Sequence, residues 1–142
     1  MPKKRVYAVI DTNILVSALW TKDPKSPTIK VIDYIFSGRI VPVIHRKVLR
    51  EYNRVLHYEK FPFSESDIKN VINAFKKNGI KKRALRSSEK FTDESDRIFY
   101  EITLSARKDE AWLITGNAKH FPKKDFVVSA REFLESFEKE RR

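Results

Sequence analysis

The chain has no cysteine, one methionine and three glycines in 142 residues. Without cysteine, disulfides and thiolate metal sites are excluded, so any metal is held by oxygen or imidazole. Three glycines and six prolines leave no room for a low-complexity tract. Acids are in the minority, 19 Asp+Glu against 30 Lys+Arg, for a formal net charge of +11. Apolar runs such as Val6–Ile10 are far too short to span a bilayer. The start, MPKKRVYAVID, is basic and then apolar. Its apolar part stops at Ile10 and no small-residue cleavage site follows, so a signal peptide is not expected and a cytoplasmic protein is.

Hydrophobic residues make up 41% and aromatics 12% of the chain, which argues against disorder. The length suits a single domain over residues 1–142 with a real core. A sequence pI near 9.9 points to a polyanionic partner, nucleic acid first, because phosphate neutralisation and counterion release drive such binding. The plainer reading is a basic surface with no specific partner.

Val6–Ile10, Ile40–Ile44, Ala111–Thr115 and Phe126–Val128 are short, rich in β-branched residues and almost wholly apolar. They read as strands buried on both faces of a parallel sheet. A weaker strand candidate lies around Arg83–Arg86. Between them, Ile29, Ile32, Ile35 and Phe36 form a helical stripe closed by Gly38. Ile68, Val71, Ile72 and Phe75 form another, closed by Gly79. Ile98, Phe99, Ile102 and Ala106 repeat at helical spacing. A last helix carries Ala130, Phe133, Leu134 and Phe137, and opens with Ser129 and Glu132 as a capping box. The alternation predicts an α/β fold: a central, mainly parallel sheet with helices on both faces, a three-layer sandwich.

Four acidic or amide positions stand out in this basic chain: Asp11 in VIDTN, Glu51 in LREYN, Asp96 in DESDRIF and Asn117 in LITGN. Ligands bind at the carboxyl ends of strands in an open parallel sheet. Asp11 and Asn117 lie at or just past such ends. Asp11 also reads as a helix cap. Glu51 falls on the shoulder of a helix burying Val48, Leu49, Tyr52, Val55 and Leu56. It reads either as a cleft-wall carboxylate or as a surface Glu pairing with a nearby Arg. Asp93, Glu94 and Asp96 precede the Ile98 stripe, where the helix dipole favours acids. Asp93 and Asp96 are spaced to share a face. Carboxylates about 4 Å apart repel by roughly 4 kcal/mol per pair at an effective dielectric near 20, so gathering them calls for a cation. Oxygen ligands point to Mg2+ or Mn2+, ions that serve phosphodiester hydrolysis.

Of the three histidines, His45 and His57 read as surface residues. His120 reads as a turn residue or as a contact to phosphate or base. None is an obvious general base, which favours metal-activated water. Lys22, Lys25, Arg50, Arg54 and the run Lys81, Lys82, Arg83, Arg86 read singly as solvated, and together as a nucleic-acid path. Trp20 and Trp112 read as packing residues.

VIDTNILVSAL, the helix VLREYNRVL, DESDRIFYEI, LITGNAKHFP and VVSAREFLE, in this order, resemble the PIN-domain family of nucleases, in particular its toxin–antitoxin (VapC-like) branch. The resemblance implies a Mg2+- or Mn2+-dependent endoribonuclease, commonly a homodimer, silenced by a small antitoxin that covers an acidic cleft. It implies Asp11, Glu51, Asp96 and Asn117 as catalytic positions. Asp11, Asp96, Glu51 and a supplementary Asp93 are the implied metal ligands. Thr12, Asn13 and, one turn further along the same helix, Ser17 read either as steadying the Asp11 carboxylate or as serving the helix start as caps. Many members carry an acid where this chain has Asn117, which removes one negative charge. Two other functions compete. One is an RNA-binding module of the same fold with weakened catalysis. The other is an Asp-based phosphotransfer or receiver domain. Against the latter, Asn13 stands where a phosphatase has its second acid, and His45 follows the strand where a receiver has its acceptor.

Overall fold

A computed structural model describes residues 5–140, so residues 1–4, with the basic Lys3 and Lys4, and residues 141–142 lie outside the described part. Its strands are β1 (Val6–Ile10), β2 (Ile40–Ile44), β3 (Ile80–Lys81), β4 (Trp112–Ile114) and β5 (Val127–Val128). They form one five-stranded, all-parallel sheet in the order β3-β2-β1-β4-β5. Six helices join or follow them: α1 (Thr12–Trp20), α2 (Pro27–Phe36), α3 (Arg46–Leu56), α4 (Glu65–Asn78), α5 (Arg97–Ser105) and α6 (Ala130–Glu140). This is the expected α/β/α sandwich. Parallel strands need crossovers, and the helices that supply them cover both faces, so the strands must be apolar all round. β2 is buried at every residue, and Ala8, Val9 and Ile10 of β1 are fully enclosed.

The helix ends follow from local chemistry. Gly38, just past α2, has φ of +82°, a conformation that an L side chain rarely adopts. At Gly79 the reason is space. A Cβ there would meet the carbonyl oxygen of Phe75 and, at 2.7 Å, that of Pro42 in β2. The capping box at α6 is formed in both directions, Ser129 N–H to Glu132 Oε1 at 2.9 Å and Glu132 N–H to Ser129 Oγ at 3.1 Å.

Three expectations need correction. Arg83–Arg86 is not a strand; the edge strand is Ile80–Lys81, paired with Val43 and Ile44. Leu85 is 55% exposed, and its N–H goes to the Glu101 carbonyl of α5 instead of a sheet neighbour. Phe36 does not join the buried stripe of α2 and is half exposed. Trp20 ends α1 with 54% of its surface exposed, edge-on to Phe61 and Phe63. Trp112 does pack, edge-on against Phe133 of α6 with centroids 5.9 Å apart.

The core reaches the sheet's carboxyl edge through Tyr52 of α3. Its ring packs on Phe75 of α4 and Phe99 of α5, at 5.4 and 6.2 Å between centroids. Burying side chains of this size contributes roughly 1.5–3 kcal/mol each. The Tyr52 hydroxyl donates to the Ile10 carbonyl at 2.5 Å, so the buried phenol is satisfied. Burial, and then the Asp11 charge, push the Tyr52 hydroxyl well above its usual pKa, which keeps it a donor.

Candidate active site

The chain runs from β1 to β2 and β3 on one side of the sheet, then crosses to β4 and β5 on the other. The order therefore reverses between β1 and β4, and crevices for ligands open at such switch points. The register Ile10–Ile114 places Asp11 beside Thr115. A cleft of about 310 Å³ opens there. Asp11, Glu51, Asp96 and Asn117 all line it, with Asn13, Ser95 and His120.

Asp11 is held from three directions. Its Oδ1 accepts from the Thr12 N–H at 2.8 Å, which caps α1. Its Oδ2 accepts from Thr115 Oγ1 at 2.7 Å and from Asn13 Nδ2 at 3.2 Å. Asn13 is itself pinned by the Gly116 N–H at 2.9 Å, and Thr115 Oγ1 accepts from the Asn117 N–H at 3.0 Å. Cap and cleft carboxylate are thus one residue in both capacities. Burial pushes the Asp11 carboxyl up, while the bonds from Thr115, Thr12 and Asn13 and the charge of His120 pull it back. Thr115 was missed in the sequence because it ends an apolar run. The available signal was pairing: once β1 and β4 are neighbours, the residue after Ile114 must face the residue after Ile10.

Asp96 contrasts with it. It stands at the start of α5 but makes no capping bond with its side chain. Its carboxyl is pushed up to about 6 by burial first, then by the negative charges of Asp11, Asp93 and Glu51, against the pull of His120. His120 Nδ1 lies 3.9 Å from Asp96 Oδ2. The acids therefore feel one another across the cleft, the condition under which a cation is favoured.

The other expected residues divide. Thr12 and Asn13 do steady Asp11. Ser17 does not; its hydroxyl is 3.2 Å from Thr28 Oγ1 of α2. Asp93 caps the short 3₁₀ turn Glu94–Asp96 by accepting from the Ser95 N–H and Oγ at 2.9 and 2.8 Å, which holds its carboxyl below the usual value. Glu51 reaches the cleft, yet its carboxylate accepts a forked pair from Arg54, with Nη2 to Oε1 at 2.8 Å and to Oε2 at 2.9 Å. Arg54 is thereby engaged with Glu51 instead of open to a phosphate. Arg50 and Lys22 are exposed away from the cleft lining, and Lys25 lines a separate hollow against Arg131 and Glu135 of α6. Lys60, not singled out in the sequence, is the lysine that lines the cleft. His45 caps α3, its Nδ1 accepting from the Lys47 N–H at 3.0 Å.

The donors fit a hard divalent cation in kind: carboxylates from Asp11 and Asp96, and an amide from Asn117. Thr12 Oγ1, beside Asp11, is buried without a hydrogen-bond partner, a position that a cation's hydration water would satisfy. Among the described residues, no three His, Asp or Glu groups already stand as a closed metal cluster. The rest of a coordination shell would fall to water and to the Asn117 amide.

A family model described as PIN domain matches residues 7–119. The chain is 27% identical over 154 residues to an uncharacterized protein of Methanocaldococcus jannaschii, across 98% of this chain and 96% of that protein. No solved structure matches. Among the described residues, no helix is long and apolar enough to cross a membrane.

Proposed function

The chain belongs to the PIN-domain family, whose members are generally metal-dependent nucleases, and on that premise we propose a Mg2+- or Mn2+-dependent endoribonuclease. The observation that carries this reading is geometric: Asp11, Glu51, Asp96 and Asn117 line one cleft, and Asp96 makes no capping bond there. Asp11 and Asp96 would hold the ion, with the Asn117 amide oxygen or a water beside them. A divalent ion bound there supplies charge neutralisation at the phosphate and an activated water. With its carboxyl raised to about 6, Asp96 would offer an ionised ligand above that pH and compete with a proton below it. Thr115 and Asn13 keep the Asp11 carboxylate aimed, and Thr12 Oγ1 is placed to orient a bound water. The net charge of +11 raises the local concentration of RNA around an acidic cleft that would otherwise repel it.

A finer reading makes it a cytoplasmic homodimeric toxin, silenced by a small antitoxin over this cleft. It rests on the likeness of VIDTNILVSAL and LITGNAKHFP to the VapC-like branch. Co-purification with the product of an adjacent gene tests it. A second function, RNA binding with weakened catalysis, is supported by the Arg54 fork on Glu51 and by Asn117 in place of an acid. Incubating structured RNAs with Mg2+ or Mn2+ separates the two. Cleavage that disappears in both Asp11→Ala and Asp96→Ala supports the nuclease. Retention of tight, salt-dependent binding without cleavage supports the second reading.

A further inference from the structure

Aromatic rings collect beside the cleft that the core does not absorb. Trp20 is 54% exposed and Tyr58 is 37% exposed. Phe61 stacks between Tyr58 and Phe63, with centroids 6.1 and 5.1 Å away and planes within 15° and 19°. Trp20 stands edge-on to Phe61 at 5.5 Å. The ladder is continuous with the acidic cleft, since Tyr58, Lys60 and Phe61 line that cleft together with Asp11 and Asp96. Cations are interleaved with the rings. Lys60 Nζ lies 5.3 Å from the Phe61 centroid, and the Arg54 guanidinium 5.4 Å from that of Tyr58.

We propose that Trp20, backed edge-on by Phe61 and Phe63, forms a base-stacking platform for an unpaired stretch of RNA leading into the cleft. This rests on the nuclease reading for its substrate class. Exposed rings beside cations are the two elements by which proteins hold single strands: stacking for the bases and charge for the phosphates. A duplex keeps its base faces inside the stack, where the rings cannot reach them, so the platform selects single-stranded segments. An apolar protein partner would have to bury Lys60, at a desolvation cost that a polyanion avoids. Charge complementarity therefore favours RNA on this surface.

The test uses the full chain with Trp112→Phe, which leaves Trp20 as the sole indole. Binding is read without divalent cations, so that no strand is cut. A single-stranded oligoadenylate is compared with an abasic strand of the same length. Oligoadenylate quenches Trp20 fluorescence and the abasic strand does not. In the parent chain, Trp20→Leu weakens oligoadenylate binding about 5- to 100-fold, leaves abasic binding unchanged, and Trp20→Phe restores most of the loss. Absence of quenching, or equal loss for both strands, overturns the platform. So does RNA affinity that is intact in Trp20→Leu while a dimer dissociates, which would make these rings a contact between copies. Cleavage with Mn2+ is measured separately. Quenching without cleavage keeps the platform and removes the nuclease reading; cleavage without quenching does the reverse.

Discussion

Two helix starts meet at the cleft, and they use their aspartates in opposite ways. At α1, Asp11 is buried, caps the helix and receives Thr115, Thr12 and Asn13. At α5, Asp96 caps nothing, and its neighbours are mostly other negative charges. The first carboxylate is built into the fold. The second is held at a cost to the fold, and such groups cluster where a ligand relieves the cost. The pair shows why a carboxylate's surroundings say more about its use than its position in an element does.

The strongest way to break the comparison is to remove each acid. Both Asp11→Ala and Asp96→Asn should lower Mn2+-dependent cleavage by more than the roughly 100-fold that loss of an outer-shell partner causes. Their stabilities should move in opposite directions. Asp11→Ala loses a cap and leaves donors unpaired, costing about 1–2 kcal/mol. Asp96→Asn removes like-charge repulsion and gains on the order of 1 kcal/mol at neutral pH, a figure kept low because the carboxyl is partly solvated. Urea unfolding of both variants checks this, and equal signs would end the contrast.

Next comes Thr115→Val. It leaves the Asp11 carboxylate one donor short and should weaken Mn2+ binding about 10- to 100-fold by calorimetry. The pH dependence sharpens the other side. The folded pKa of Asp96 is raised, from 3.8 to about 6, so the folded chain binds that proton more tightly than the unfolded one. The contribution of Asp96 to stability is present below 3.8 and is lost as pH rises through about 6. The advantage of Asp96→Asn over the parent should therefore grow across that window. Mn2+ affinity of the parent should rise over the same range, because the ion displaces the proton. A flat profile would mean that Asp96 is not the coupled group.

The smallest effects concern the remaining ligands. Asn117→Asp should tighten Mn2+ binding by restoring a negative charge, and unchanged affinity would place Asn117 outside the shell. Arg54→Ala should leave stability nearly unchanged, since Arg54 is exposed, while freeing Glu51 and tightening Mn2+ binding.

The architecture was readable in the sequence because parallel strands covered on both faces must be apolar throughout, as VYAVI and IVPVI are. The two-residue β3 was not, because Ile80–Lys81 is too short for any period to show, and Arg83–Arg86 nearby never finds a ladder. The convergence of Asp11 with Asn117 followed from strand ends. The support from Thr115 depended on knowing that β1 and β4 are neighbours. Glu51 was legible as a cleft-wall residue, but its fork with Arg54 turns on two rotamers that no spacing determines. Trp20 was misread because its surroundings are made by Phe61 and Phe63, more than 40 residues further along the chain.

The hydrogen bond from Tyr52 to the Ile10 carbonyl has a mechanical consequence. It joins the residue before Asp11 to the residue after Glu51, so the backbones carrying these two acids are fastened at adjacent points. The gap between the walls is therefore a fixed gauge. A cation of larger radius, if one binds as proposed, would have to be accommodated by turning side chains such as Asp96, because the wall behind Glu51 cannot retreat without unseating a phenol from the core.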